Sequence, residues 1–481
     1  MYNPYDPNAY AHLADDSAMI QAAVDAAAEF GEAVTIPRYN ARTGGNIWNI
    51  CRAILLHTGS VIYLDNCHLR QADDIVDNIF RNSNNDTPLG FTREGRQTDI
   101  TIEGMGNCLL DSGEYPGVTE DNFPEAGLEH QFLLSMFNFV NVERVKISNI
   151  RIARHRYWSM VFHYSSHVQI RDIDFYGPWD FRNQDGIDLR SGCSHFVIEN
   201  LSGVTGDDVV AMTNLQNYYA PKMAGCGYDD SIHNVIIQNI RASTQHSFVR
   251  ILNHGGRKIY NILIQDLMYD CESDPSDTRI RPGVNPTTFP GSYVPIHPEV
   301  YRFSQDYTVR IGTCFFNFSD PMATLGDTYN ITVQNIHCRG LAGVCLSCTA
   351  KDVLIDNVHL FGQGMTGVYF AQGPIRDVHV RNISYAENAA LHPEWDDRLI
   401  ECELEGFEKD VAALPQRQAS AVYFKNSDIE DVSFENISAG KNNTAVFSGF
   451  GKVNAVASGI IKGREDLPLN AGVGLNIAIK D

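Results

Sequence analysis

Three aspartates carry the strongest chemical signal in this sequence. Asp185 lies in Asn183-Gln184-Asp185-Gly186-Ile187-Asp188, and Asp207 and Asp208 lie in Gly206-Asp207-Asp208-Val209-Val210. Carboxylates gathered in one place raise each other's pKa, and a raised pKa is what a general acid needs near neutral pH. Asp-rich turns and calcium sites have the same composition, so Gly-Asp-Asp alone is weak evidence. The spacing decides more: Asp207 follows Asp185 by 22 residues.

That interval matches a repeat. The phrase apolar, polar, apolar, polar, Asn or Asp, apolar occurs as Val145-Lys146-Ile147-Ser148-Asn149-Ile150 and Val168-Gln169-Ile170-Arg171-Asp172-Ile173. It returns around Asn200, Asn239, Asp266, Asn335, Asn357, Asn382 and Asn436, with a basic step of about 22 to 28 residues and longer gaps of 39, 69 and 54. Period-2 alternation means short strands with one buried face, and a fixed period of this length means a solenoid. The leucine skeleton of leucine-rich repeats is missing. The expected fold is all-β, a right-handed parallel β-helix solenoid spanning 1–481 as a single domain. Asn or Asp at the bend fits a turn, where these side chains bond local backbone and tolerate unusual dihedrals. One coil of separation would stack Asp207 on Asp185. Neighbouring residues of a regular strand point to opposite faces, so Asp207 and Asp208 can share a cleft only at a strand edge or bend.

The open end of a solenoid needs a cap. Residues 15–31 read as an N-terminal capping helix, with Asp16 or Ser17 as N-cap, Gly31 at its end, and Ile20, Ala23, Val24, Ala27 and Phe30 on one face. The gap of 39 reads as one coil with an inserted loop; those of 69 and 54 hold either two coils or one coil with a long insertion. Residues 272–306, rich in Pro, Gly, Ser and Asp, and residues 391–419, of charged helical character, read as loop insertions.

Composition sets outer bounds. With 481 residues and 43% hydrophobic content, the chain can bury a sizeable core. A formal charge of −22 disfavours nucleic acid and anionic membranes as partners. No stretch approaches the roughly 20 apolar residues of a membrane span. The start, Met1-Tyr2-Asn3-Pro4, shows neither a basic nor an apolar leader region, and the 11 scattered cysteines do not read as a disulfide framework. The expected location is the cytoplasm, or outside the cell if a leader has been trimmed.

On these motifs the sequence resembles the family 28 glycoside hydrolases, the polygalacturonase-like group. Their motifs run Asn-Thr-Asp, Gly-Asp-Asp, Gly-His-Gly and Arg-Ile-Lys on successive coils. This chain has Asn183-Gln184-Asp185 and Gly206-Asp207-Asp208 for the first two. Likeness extends over the opening helix, Gly59 to Asp73, and Phe137 to Asp270. The third motif is reduced to Gln245-His246-Ser247, with His254 in Asn253-His254-Gly255-Gly256 as a competitor. The fourth is Val309-Arg310-Ile311-Gly312, with glycine in place of lysine; Arg279-Ile280-Arg281 looks closer but lies in the first insertion. The resemblance implies an inverting glycosidase acting on a pectin-like or related poly- or oligosaccharide, with Asp207 as general acid and Asp185 and Asp208 holding and deprotonating the water. It implies that His246 supports the acid's protonation or binds substrate, and that Arg310 binds substrate hydroxyls or a carboxylate. If Gln245 to Arg250 is extended, Arg250 shares a face with His246 and Phe248 and becomes a further ligand for the substrate. Trp158, in Arg154-His155-Arg156-Tyr157-Trp158, is a candidate sugar platform, although aromatic packing and solvated charge explain that segment equally well. In the galacturonan-cleaving members the basic pair of the fourth motif faces the substrate carboxylate, so with that lysine lost the resemblance supports the reaction type more than the substrate.

No cofactor motif and no metal-ligand set is expected. Cys345-Leu346-Ser347-Cys348 lacks a second pair at zinc spacing and reads as buried thiols. The sequons at Asn330, Asn382 and Asn436 lie on the repeat phrase itself and carry no glycan meaning. Two other readings compete with the hydrolase: a polysaccharide lyase on the same fold, which typically needs a basic proton abstractor, and a non-catalytic carbohydrate-binding β-helix.

Overall fold

The computed structural model describes residues 3–73, 75–113, 118, 123–177, 183–244, 246–269, 307–312, 323–338, 342–347, 349–361, 366–371, 373–386 and 420–480. The proposed insertions at 272–306 and 391–419, with Arg279-Ile280-Arg281, lie outside them. The chain is a right-handed parallel β-helix with an N-terminal capping helix. It divides into two compact units, residues 1–207 with 216–236, and residues 208–215 with 237–481.

In the first unit the cap is the helix Asp16–Phe30. Its N-cap is Asp15, one residue before those the sequence suggested: the Asp15 carboxylate accepts from the Ala18 N–H at 2.8 Å. Asp16 and Ser17 are turned to another task. Asp16 Oδ2 accepts from Asn49 N at 2.7 Å, and Ser17 Oγ accepts from Cys51 N at 2.9 Å. The Gln21 amide accepts from Leu55 N at 2.7 Å and donates to Leu55 O at 3.1 Å. These side chains therefore satisfy backbone groups of the first coil (strands Ile47–Ile50 and Ile54–Leu56) that would otherwise form an open edge. Ile20, Ala23, Val24 and Ala27 are buried as expected, but Phe30, in the last turn, is 66% exposed. Gly31 ends the helix at φ 70°.

Successive coils pair in register. In the first unit Val145 sits opposite Ile100 and Val168, and Ile147 opposite Ile102 and Ile170. Strands Phe137–Val140, Met160–His163 and Ile187–Leu189 form a second ladder, and Phe139 stacks on Phe162 inside it at 5.4 Å. In the second unit Ile264, Val333, Ile355, Val380 and Phe434 form one buried column. Strand Ile259–Tyr269 pairs directly with Thr328–Cys338, and Pro374–Tyr385 directly with Ser420–Ile437. The gaps of 69 and 54 are thus each one coil with a long insertion.

The bend residues of the repeat behave as turn chemistry requires. Asn149, Asp172, Asn200, Asn239, Asp266, Asn335, Asn357, Asn382 and Asn436 all adopt φ between 54° and 59°. Their side chains link coil to coil: Asn335 donates to Asp266 at 2.8 Å, Asn357 to Asn335 at 2.9 Å, and Asn436 to Asn382 at 3.2 Å. This left-handed conformation is one Asn and Asp tolerate and most side chains resist.

Candidate functional site

Asp185 and Asp207 belong to the first unit. Asp185 precedes the strand Ile187–Leu189; its backbone carbonyl accepts from Ser159 N at 2.9 Å, which joins it to the coil before. Asp207 lies in the bend after the strand Ser194–Thr205. Gln184 sets their approach. Its carbonyl accepts from Gly206 N at 3.1 Å and Asp207 N at 3.3 Å, while its side chain donates to the His155 carbonyl at 2.9 Å. A Cβ on Gly206 would lie 2.6 Å from Gln184 Oε1, so the glycine of this motif is required by close packing. Carboxylate oxygens of Asp185 and Asp207 come within 4.8 Å of each other. Asp185 is buried and Asp207 is half-buried.

Two carboxylates this close offer a cluster of oxygen donors. Oxygen donors of this kind suit Ca²⁺ or Mg²⁺, and they equally suit acid–base work on a bond with water beside it.

The chain passes into the second unit at Asp208. Neither Asp207 nor Asp208 lies on a strand; the next strand begins at Val210, so the alternation rule does not separate them. Asp208 is buried. Its Oδ1 accepts from Ser247 N at 3.0 Å, and its Oδ2 lies 3.6 Å from Arg250 Nη1. Both contacts favour the charged carboxylate.

Arg250 and Arg310 are brought together. They sit directly opposite each other on strands Ser247–Asn253 and Tyr307–Ile311, on neighbouring coils, and Arg310 is 4% exposed. Arg250 alternates with Val249 and Ile251, whose side chains are fully buried. His246 precedes the strand rather than belonging to it, so it does not share a strand face with Arg250 as the sequence suggested. It is half-buried, and its N–H donates to Thr244 Oγ1 at 3.2 Å. It adjoins Ser247, the residue that holds Asp208. His254 sits at the other end of that strand, roughly 25 Å away at the usual rise per residue, with its Nδ1 2.9 Å from Gly255 O.

The segment 154–158 divides in two. Arg156 is buried and donates to the carbonyls of Ile75, Ala72 and Ser112, the last two at 3.1 and 3.0 Å. His155 and Tyr157 are also buried, and burial pushes the His155 imidazole down to about 4. These three are packing. Trp158 is half-buried, stacks on Tyr157 at 4.6 Å and carries the Arg190 guanidinium 5.1 Å over its ring. Arg190, 5% exposed, and Asp188, a buried carboxylate on the strand Ile187–Leu189, were not singled out from the sequence. Their only signal is position, three and five residues after Asp185.

Cys345 is a buried free thiol, as expected; Cys348 lies outside the described residues. Among the described residues no helix is long and apolar enough to cross a membrane.

No protein-family model matches the sequence, and no curated protein matches it either. Solved structures do resemble it. The pre-mature gene product 12 of bacteriophage phi29 aligns at 15% identity and a TM-score of 0.56, over 97% of this chain and 55% of that one. The chain thus spans about half the length of that protein. A tailspike protein of E. coli bacteriophage HK620 aligns at 10% identity and a TM-score of 0.50, over 96% and 74%. A hyperthermoactive exopolygalacturonase from Thermotoga maritima aligns at 12% identity and a TM-score of 0.42, over 96% and 87%. At such identities the likeness is one of fold alone, that of a parallel β-helix.

Proposed function

We propose that the chain is a glycoside hydrolase that cleaves a poly- or oligosaccharide with a carboxylate pair. The observation that carries this reading is the approach of Asp185 and Asp207 to within 4.8 Å, held by Gln184 and by the bare Gly206. Asp207, the more exposed of the two, delivers a proton to the glycosidic oxygen as the bond to the anomeric carbon breaks. Asp185 and Asp208, the next residue in the chain, take a proton from the attacking water. Arg250, Arg310, His246 and Trp158 bind the sugar.

Inversion is what the family resemblance implies. The anomer first released, read by proton NMR, distinguishes inversion from retention.

The test of the function is an end-product assay on pectic and neutral polysaccharides and their oligosaccharides. It counts new reducing ends while following ultraviolet absorbance for an unsaturated product. Reducing ends without absorbance, abolished in Asp207→Asn with glycan binding retained, is the expected result. Absorbance rising with the reducing ends would overturn hydrolysis in favour of a lyase. Binding without either signal, unchanged by Asp207→Asn, would make the chain a carbohydrate-binding β-helix.

A further inference from the structure

Cys67 and Cys108 occupy matching places on neighbouring coils of the first unit. Cys67 directly precedes the strand His68–Gln71 and Cys108 directly precedes Leu109–Asp111. These strands pair in parallel with His68 opposite Leu109, which places the two cysteines opposite each other. The Leu109 N–H donates to the Cys67 carbonyl at 3.0 Å, so the backbones are tied together at this point. Adjacent strands run about 4.8 Å apart, inside the 4.4–6.8 Å range of Cα separations that a disulfide spans. Both residues are 2% exposed or less.

Both thiols are free and buried, and the Cys108 thiol donates to the Leu64 carbonyl at 2.8 Å.

We propose that Cys67 and Cys108 form an intrachain disulfide between neighbouring coils when the chain meets a small-molecule disulfide oxidant such as oxidised glutathione. The Cys108 thiolate attacks one sulfur of the oxidant, whose S–S bond breaks with loss of one thiolate. Cys67, giving up its proton to that thiolate, then attacks the Cys108 sulfur and releases the second thiolate, which takes a proton from water. Two protein thiols are oxidised and one disulfide is reduced to two thiols. Because both sulfurs are covered in the folded chain, exchange occurs while these coils assemble or open. The cross-link would fasten coils next to the capping helix and act apart from any glycan chemistry.

The test refolds the full-length chain from denaturant in glutathione buffers of increasing oxidised fraction. Each sample is acid-quenched, alkylated under denaturing conditions and analysed by mass spectrometry. The expected oxidised product carries alkyl groups on nine of its 11 cysteines and yields a peptide linking Cys67 to Cys108. Its melting temperature exceeds that of the reduced chain, and Cys67→Ser and Cys108→Ser each remove both the linked peptide and the redox-dependent rise. Alkylation of both cysteines at every redox ratio would overturn the proposal. So would linkage of either to other cysteines as often as to its partner.

Discussion

The carbonyl oxygen of Ser347 stands where a side chain on residue 312 would begin: a Cβ built on Gly312 would lie 1.4 Å from it. Gly312 also adopts φ 115°, a conformation costly to any side-chain-bearing residue. The lysine missing from the fourth motif is therefore not a vacancy that one substitution can fill. Gly312→Lys, which would restore Arg-Ile-Lys, is expected to destabilise the chain by roughly 3 kcal/mol or more, from backbone strain plus overpacking against a carbonyl. Gly312→Ala is expected to suffer most of the same loss. Urea denaturation measures both; a wild-type midpoint for Gly312→Lys would refute the argument.

Asp208 and Arg250 form a buried pair whose members differ in what their loss leaves behind. Arg250→Met leaves the buried Asp208 carboxylate without the guanidinium beside it, while the backbone N–H of Ser247 still donates to it. Asp208→Asn keeps an oxygen for that N–H and removes the charge. The expected cost is about 2–4 kcal/mol for the first and about 1 kcal/mol for the second. The double variant should recover part of the Arg250→Met loss, because an uncharged amide needs no guanidinium. Additive losses in a double-mutant cycle would mean that the two side chains do not act on each other.

Much of this was legible in the sequence because a β-helix repeats one physical solution. The Asn and Asp bends of the 22 to 28 residue phrase all fall in the left-handed region, where their side chains bridge coils. Asp185 and Asp207 could be brought together on spacing alone, since one period means one coil. Residues whose roles depend on packing at a single point were harder to read. The rule that Asp16 or Ser17 caps the helix failed because both side chains are drawn to the edge of the first coil, leaving the N-terminus to Asp15. Phe30 matched the helical period but is exposed in the last turn of the helix. Arg190 has no periodic signature at all; its place over Trp158 is set by the turn after Ile187–Leu189.

Gln21 offers a direct test of how the cap works. Its amide makes both an accepting and a donating bond to Leu55, as a neighbouring strand would. Gln21→Ala keeps helix propensity and removes both bonds, and is expected to cost about 1–2 kcal/mol. Hydrogen exchange at the Leu55 amide should accelerate in the variant, while amides of the Ile232–Thr244 strand stay protected. Unchanged exchange at Leu55 would mean that the helix covers the first coil by apolar contact alone.

Acid sensitivity follows from three buried imidazoles in the first unit. Burial pushes His155 and His130 down to about 4, and His163 well below its usual value. All three are neutral in the folded chain at neutral pH, whereas in the unfolded chain they take up protons near pH 6.5. Lowering a histidine's pKa on folding makes its contribution complete above the unfolded value and progressively lost as pH falls toward the folded one. Stability should therefore be flat above about pH 7 and fall between pH 6.5 and 5. The slope is up to about 1.4 kcal/mol per pH unit for each histidine, before carboxylates titrate strongly. Urea denaturation at pH 7.5, 6.0 and 5.0 reads this slope. His163→Gln, which keeps a polar side chain but cannot take up the proton, should lower it by one histidine's share even if the variant is less stable throughout. An unfolding free energy that does not change between pH 7.5 and 5.0 would show that these imidazoles are protonated in the folded chain as readily as in the unfolded one.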